Sequence, residues 1–132
     1  MTENYAGHEA NKVHRSLGYN IFNKNMRLVI LVDKGSASAS EILAAALRHY
    51  KIGSLVGTVT FGKGSVQELI QITPDTSLKM TVARWLTPSG IQIPRDGVAP
   101  DYQVDLTEND KKAGKDPQMS KAVKLLSGTL AQ

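Results

Sequence analysis

Apolar positions change their spacing several times along the chain, and each change predicts an element. Over the first 25 or so residues polar and apolar side chains mix with no clear period, which reads as loop or a peripheral hairpin rather than core. Met26-Arg27-Leu28-Val29-Ile30-Leu31-Val32 is a continuous, β-branched apolar run, the pattern of a strand buried on both faces. Asp33-Lys34-Gly35 ends it in a turn. Ile42, Leu43, Ala46 and Leu47 then recur at helical spacing, with alanines in most of the gaps. Ser38 and Glu41 have the S-x-x-E form of a capping box, which places the helix start near Ser38. Arg48, His49 and Lys51 fall in the predicted last turn, where cations suit the negative end of the helix dipole, and Gly53 is expected to stop the helix. Ser54 to Gly57 reads as a short second strand. Strand, helix and strand in this order predict a parallel crossover unit.

Beyond Gly62-Lys63-Gly64 the pattern turns antiparallel. Val66 to Thr73 and Leu78 to Leu86 read as two strands joined across Pro74-Asp75-Thr76. Pro88-Ser89-Gly90 makes another turn, and an irregular stretch leads to Tyr102-Gln103-Val104. Glu108 to Asp116 reads as a charged linker, mobile at the surface. Pro117 opens a short amphipathic helix with Met119, Ala122, Val123 and Leu126 on one face. The fold class is therefore α/β: a parallel strand-helix-strand unit, then antiparallel strands and a C-terminal helix. The chain divides into a peripheral polar segment (1–25), a core (26–107), and a linker with its helix (108–132).

Composition narrows this picture only slightly. At 132 residues and 41% hydrophobic, the chain is long enough for one modest domain with its own core. No apolar run approaches the 18 or so residues of a membrane span, and Met1-Thr2-Glu3-Asn4 opens a polar segment without the pattern of a signal peptide. The net charge is +4, but the lysines and arginines are scattered singly rather than clustered with aromatics, so no nucleic-acid partner is expected. The absence of cysteine excludes disulfides and thiolate metal sites. No metal or other cofactor is implied.

Two segments carry chemistry. Ser38 closes the small-residue loop Gly35-Ser36-Ala37 at the start of the predicted helix. Its plain role is the N-cap; the free N–H groups of a helix start can also hold an oxyanion. Lys63 lies between two glycines, with no neighbouring side chain to shield it, and its plain role is a hairpin-tip lysine. To act as a general base it must be neutral near pH 7, against an ordinary pKa of about 10.4, and burial in apolar surroundings would bring that about. Phe61 and Val66 are the candidate walls. Gln67 has the reach to orient the lysine amine, or is an ordinary polar strand residue. Gly57 to Lys63 begins like a phosphate-binding G-x-x-x-x-G-K-[ST] loop, but Gly64 stands where Ser or Thr is needed and a strand follows instead of a helix. Histidine fails as base: His49 is eleven residues beyond Ser38 on the same helix, about 16 Å along the axis. His8 and His14 sit in the N-terminal stretch with no motif around them. Lysine is left as the best base, in the Ser-Lys variant of nucleophilic catalysis.

Val29 to Gln67, followed by Thr81-Val82-Ala83-Arg84-Trp85-Leu86-Thr87-Pro88-Ser89-Gly90, resembles the C-terminal processing peptidases, also called tail-specific or carboxyl-terminal proteases. Gly97-Val98-Ala99-Pro100-Asp101 and Asp116-Pro117-Gln118 resemble the end of their catalytic domain, and Lys63 follows Ser38 by twenty-five residues, as in that family. The resemblance implies a partial crotonase/Clp-protease-like core. It also implies Ser38 as nucleophile, Lys63 as general base, Gln67 as the residue that positions Lys63, and the Ala39 N–H as one oxyanion donor, with Ser36 and Ser40 as bystanders. The implied substrate is a polypeptide, cleaved near its C-terminus outside the cytoplasm. The PDZ domain and the upstream glycine-rich strand of the family have no counterpart in these residues. The expectation is a truncated core with an open sheet edge, available for self-association or peptide binding.

Overall fold

A computed structural model of the chain describes residues 1–7, 10–19 and 26–128. The elements in chain order are β1 (Thr2–Tyr5), β2 (Lys12–Val13), β3 (Leu28–Val32), α1 (Ala39–His49), β4 (Gly53–Gly57), β5 (Ser65–Thr73), β6 (Thr76–Leu86), β7 (Tyr102–Gln103), α2 (Glu108–Lys112) and α3 (Pro117–Ser127). They form two sheets. β3, β4 and β7 make a parallel sheet in that spatial order, and β2-β1-β6-β5 make an antiparallel one. The α/β class and the parallel crossover β3-α1-β4 are as the apolar pattern predicts, with Leu28 opposite Gly53 and Val32 opposite Gly57.

Burial separates the two crossover strands. β4 is central, and its Leu55 and Val56 point to opposite faces yet are both 0% exposed. β3 was expected to be covered on both faces, but it lies at the sheet edge with Leu31 38% exposed. The core gathers Val32, Ala44, Ala45, Leu55, Ile93 and Val98, so α1 packs its alanine face onto the sheet beneath the 93–98 segment. Alanines let that helix approach closely, which the apolar spacing alone did not require.

Several expectations need correction. Lys51 lies past the end of α1, not in its last turn. With φ 55 it makes the left-handed turn that ends the helix, while its N–H and that of Ile52 reach back to Arg48 and Leu47. Gly53 instead begins β4, packed against Leu28 and Ile30. The Glu108–Asp116 linker is not structureless. It contains α2, whose N-cap Thr107 exchanges hydrogen bonds with Asp110. In α3 the buried residue is Ala122, whereas Met119, Val123 and Leu126 are 49%, 54% and 39% exposed. The covered face runs instead through Gln118, which donates to the Val104 carbonyl, and Lys121, whose ammonium stands over the Tyr102 ring. Within the described part of residues 1–25, β1 and β2 form a hairpin, and β1 also pairs with β6 from Thr2–Leu86 to Tyr5–Ala83.

Candidate active site

The turn between β3 and α1 is tied down by one aspartate. Asp33 Oδ1 accepts from the N–H groups of Gly35 (2.9 Å) and Ser36 (3.0 Å) and from the Ser36 hydroxyl (3.1 Å). Ser36 therefore holds the loop. Ser38 follows as the N-cap with φ 54 and ψ −114, a backbone conformation that a residue with a Cβ rarely adopts. Its side chain is exposed. Only one arm of the predicted capping box is a firm hydrogen bond: Glu41 accepts from the Ser38 N–H at 2.9 Å, and the return contact to the Ser38 hydroxyl is too loose to count as one. Ala39 is the first residue of α1, so its N–H has no partner four residues back within the helix.

Glu41 does more than cap. Its carboxylate is 0% exposed and reaches across to the loop after β4. Oε1 accepts from the Thr60 hydroxyl at 2.6 Å and the Gly62 N–H at 2.7 Å, and Oε2 accepts from the Lys63 N–H at 2.8 Å as well as from Ser38. The Thr60 hydroxyl in turn accepts from the Val98 N–H at 2.7 Å, and the Phe61 N–H donates to the Ser36 carbonyl at 2.9 Å. One carboxylate oxygen thus joins the backbones of Ser38 and Lys63. Burial pushes the Glu41 carboxyl up, but the hydrogen bonds from Thr60, Gly62, Lys63 and Ser38 outweigh it and hold it below the ordinary carboxylate range.

The glycines around Lys63 have a packing cause. Gly62 has φ 93, and a Cβ there would lie 1.9 Å from the Arg95 carbonyl oxygen. A Cβ on Gly64 would lie 2.8 Å from that of Ile93. The loop is pressed against residues 93–95, leaving Lys63 exposed at its tip. Of the two expected walls, Phe61 lines the cleft beside Lys63 but is itself 64% exposed, and Val66, half-buried on β5, does not line it. Gln67 is exposed on β5, opposite Thr81. Among the described residues no hydrogen bond joins the Ser38 hydroxyl, the Lys63 amine and the Gln67 amide. The structure brings the Ser38 and Lys63 backbones together and leaves the three side chains unlinked, as unliganded sites often do.

No described histidine belongs to this site. His14 bonds Glu3 at 3.0 Å and stacks near Trp85, His49 ends α1, and His8 lies outside the described residues. No group of three or more His, Cys, Asp or Glu among the described residues could hold a metal ion. A cleft of about 350 Å³ opens beside Lys63, lined also by Ser65, Thr81, Arg84, Gln92 and Arg95. The residue that sequence reasoning missed is Glu41, which it read as a cap alone. Thr60, Gly62 and Lys63 stand 19 to 22 residues from it, so no local pattern links them.

Comparison with known proteins bears out the resemblance. The model of peptidase family S41 matches residues 1–104. The chain is 47% identical over 78 residues to the chloroplastic C-terminal processing peptidase of Tetradesmus obliquus, a match covering 59% of this chain and 17% of that protein. It is 42% identical over 89 residues to the carboxy-terminal-processing protease of Bartonella bacilliformis, covering 67% of this chain and 20% of that protein. Among solved structures, the photosystem II D1 C-terminal processing protease matches with a TM-score of 0.56 at 47% identity, over 60% of this chain and 20% of that one. The chain therefore spans about a fifth or less of the length of these three relatives. With that family's model covering most of its length, this chain belongs to peptidase family S41.

Proposed function

We propose that the chain carries the nucleophile and the base of a serine endopeptidase that cleaves polypeptides near their C-termini through a Ser38–Lys63 dyad. The observation that supports this reading most is the shared Glu41 oxygen, which holds the start of α1 against the lysine loop. Ser38 Oγ attacks the scissile carbonyl carbon while neutral Lys63 takes the hydroxyl proton. The oxyanion that forms meets the Ala39 N–H, a donor left free by its place at the helix start. Collapse breaks the C–N bond, the leaving amine takes the proton from Lys63, and an ester to Ser38 remains. Water then attacks the ester, giving its proton to Lys63, and the proton returns to Ser38 Oγ as the acid leaves. Gln67 positions the lysine amine. Lys63 is exposed in the free chain, so seating the polypeptide is the step that removes water from around it.

The partner is a polypeptide, not nucleic acid. The edge of β3 away from β4, unpaired among the described residues, is a surface on which an extended strand, from substrate or a second copy, can add backbone hydrogen bonds. An extracytoplasmic workplace goes with this reading, supported by the chloroplastic Tetradesmus relative.

Hydrolysis of an unfolded protein by this chain, beside Ser38→Ala and Lys63→Ala, tests the reading. Cleavage by the unaltered chain that falls by about 10⁴-fold or more in both variants is expected. Cleavage that survives Lys63→Ala, or no cleavage by the unaltered chain, overturns it.

A further inference from the structure

The cleft beside Lys63 carries three basic side chains and no acid, with Phe61 and Ile93 as its apolar lining. Lys63, Arg84 and Arg95 all line it, with Ser65, Thr81 and Gln92 between them. None of the three basic side chains is in an ion pair among the described residues; those pairs are His14–Glu3, Arg48–Asp101 and Lys111–Glu108. The nearest acid by connection, Glu41, lies behind the loop with both oxygens already taken by Ser38, Thr60, Gly62 and Lys63.

Arg84 faces this cleft because of an irregularity in the ladder. Val66 pairs with Ala83 but Gln67 pairs with Thr81, so Val82 is an extra residue in β6. A bulge of this kind reverses the alternation of side chains. Thr81 and Arg84, three residues apart and so on opposite faces of a regular strand, here line one cleft. Arg84 stands opposite Ser65, two residues beyond Lys63. Arg95 enters from the other side, where its carbonyl presses on Gly62.

The geometry points to a carboxylate subsite: Arg84 and Arg95 receive a carboxylate of the polypeptide whose backbone is presented to Ser38 and Lys63. The inference rests on the peptidase reading for the identity of the bound chain. It goes further by naming the chemistry that chain carries. A guanidinium matches a carboxylate with two parallel N–H donors, and like-charged walls with no internal acid leave that carboxylate as the missing counter-charge. Two sources fit, the terminal carboxylate of the polypeptide and an Asp or Glu side chain within it.

Binding to the Ser38→Ala chain separates this inference from the question of hydrolysis. Fluorescein-labelled peptides are compared in matched pairs, free against amidated C-terminus and internal Glu against Gln, by anisotropy at low salt. The carboxylate member of at least one pair is expected to bind about tenfold tighter. The difference should shrink to about twofold or less in Arg84→Gln/Arg95→Gln, and at high salt. A preference in the first pair assigns the subsite to the chain terminus, and one in the second to an acidic side chain. Equal affinities in both pairs, no measurable binding, or a preference untouched by the double variant overturns the subsite. Should the double variant fail to fold, the exposed Arg95→Gln alone must weaken the preference about threefold for the subsite to stand. If the unaltered chain cleaves nothing but the preference is found, the subsite holds and the peptidase reading fails.

Discussion

At the junction of α1 with the Thr60–Gly64 loop, four hydrogen bonds converge on one fully buried carboxylate. In the β5–β6 hairpin, two strands of nine and eleven residues hold each other by their ladder alone over most of their length. From Gln67 to Met80 every residue is exposed, including Leu69 at 68% and Ile72 at 62%. The first region is short of apolar bulk and rich in convergent polar contacts, and the second is the reverse. Position at the site is thus set by a polar clamp on one carboxylate, while the hairpin rests on its ladder and its turn. A two-stranded ribbon with both faces in water is marginal by itself. Its stability comes from its base, where Ala83 is buried and β1 extends the sheet.

The largest effect expected from this contrast is at Gly62. Alanine there must keep φ 93 and put a methyl carbon 1.9 Å from the Arg95 carbonyl oxygen, a clash of a fixed Cβ with backbone that no rotamer relieves. Gly62→Ala is expected to cost about 4 kcal/mol or more and to disengage the lysine loop. Urea unfolding measures it. A cost below about 1 kcal/mol would mean that the loop can lift away from residues 93–95 without penalty, and that the junction is not a clamp.

Next comes the clamp itself. Glu41→Gln replaces one acceptor oxygen by an NH₂ group that faces N–H or O–H donors, so at least one buried donor loses its partner. About 3 kcal/mol is expected from lost charge-assisted bonds and buried unpaired donors. The pH dependence carries its own sign. The folded Glu41 carboxyl sits below its unfolded value because hydrogen bonding outweighs burial. Its contribution is therefore full above the unfolded pKa, about 4.3. It is lost as pH falls from there through the folded value. The melting temperature of the unaltered chain should drop on acidification through this window, and that of Glu41→Gln should drop less. Glu3, held low chiefly by the Tyr5 hydroxyl, leaves a residual slope in the variant. Equal slopes would remove Glu41 from the account of acid stability.

The contrast also explains what was legible in the sequence. The hairpin announced itself, because two strand-like runs and the Pro-Asp turn between them are local signals that act between residues close in the chain. α1 did so for the same reason, through its 3.6-residue period. The loops of Ser38 and Lys63 were legible as motifs. The carboxylate between them was not, since hydrogen bonds to backbone N–H groups 21 and 22 residues away leave no trace in the identity of the donors. The pairing of β1 with β6 was hidden in the same way. Thr2-Glu3-Asn4-Tyr5 joins the sheet through main-chain bonds, and its polar sequence does not disclose them. In α3 the apolar stripe was real, but the sheet of β3 and β4 covers a face one residue away, where Ala122 allows close approach.

The smallest effect tests the other side of the comparison. Leu69 stands opposite Lys79 in the ladder and is 68% exposed, so it has little buried area to lose. Leu69→Thr keeps a residue suited to a strand and removes apolar surface that water already reaches. The expected change in unfolding free energy is within about 0.5 kcal/mol. The same variant reports on association, because an exposed apolar ribbon is a surface that a second copy can cover. If the chain self-associates through the hairpin, Leu69→Thr lowers the concentration-dependent mass seen by light scattering and costs more than about 1 kcal/mol at high protein concentration. If association runs instead along the β3 edge away from β4, the variant leaves that mass unchanged. The hairpin then stands as a ribbon whose face is free, and the contrast with the Glu41 junction is at its sharpest.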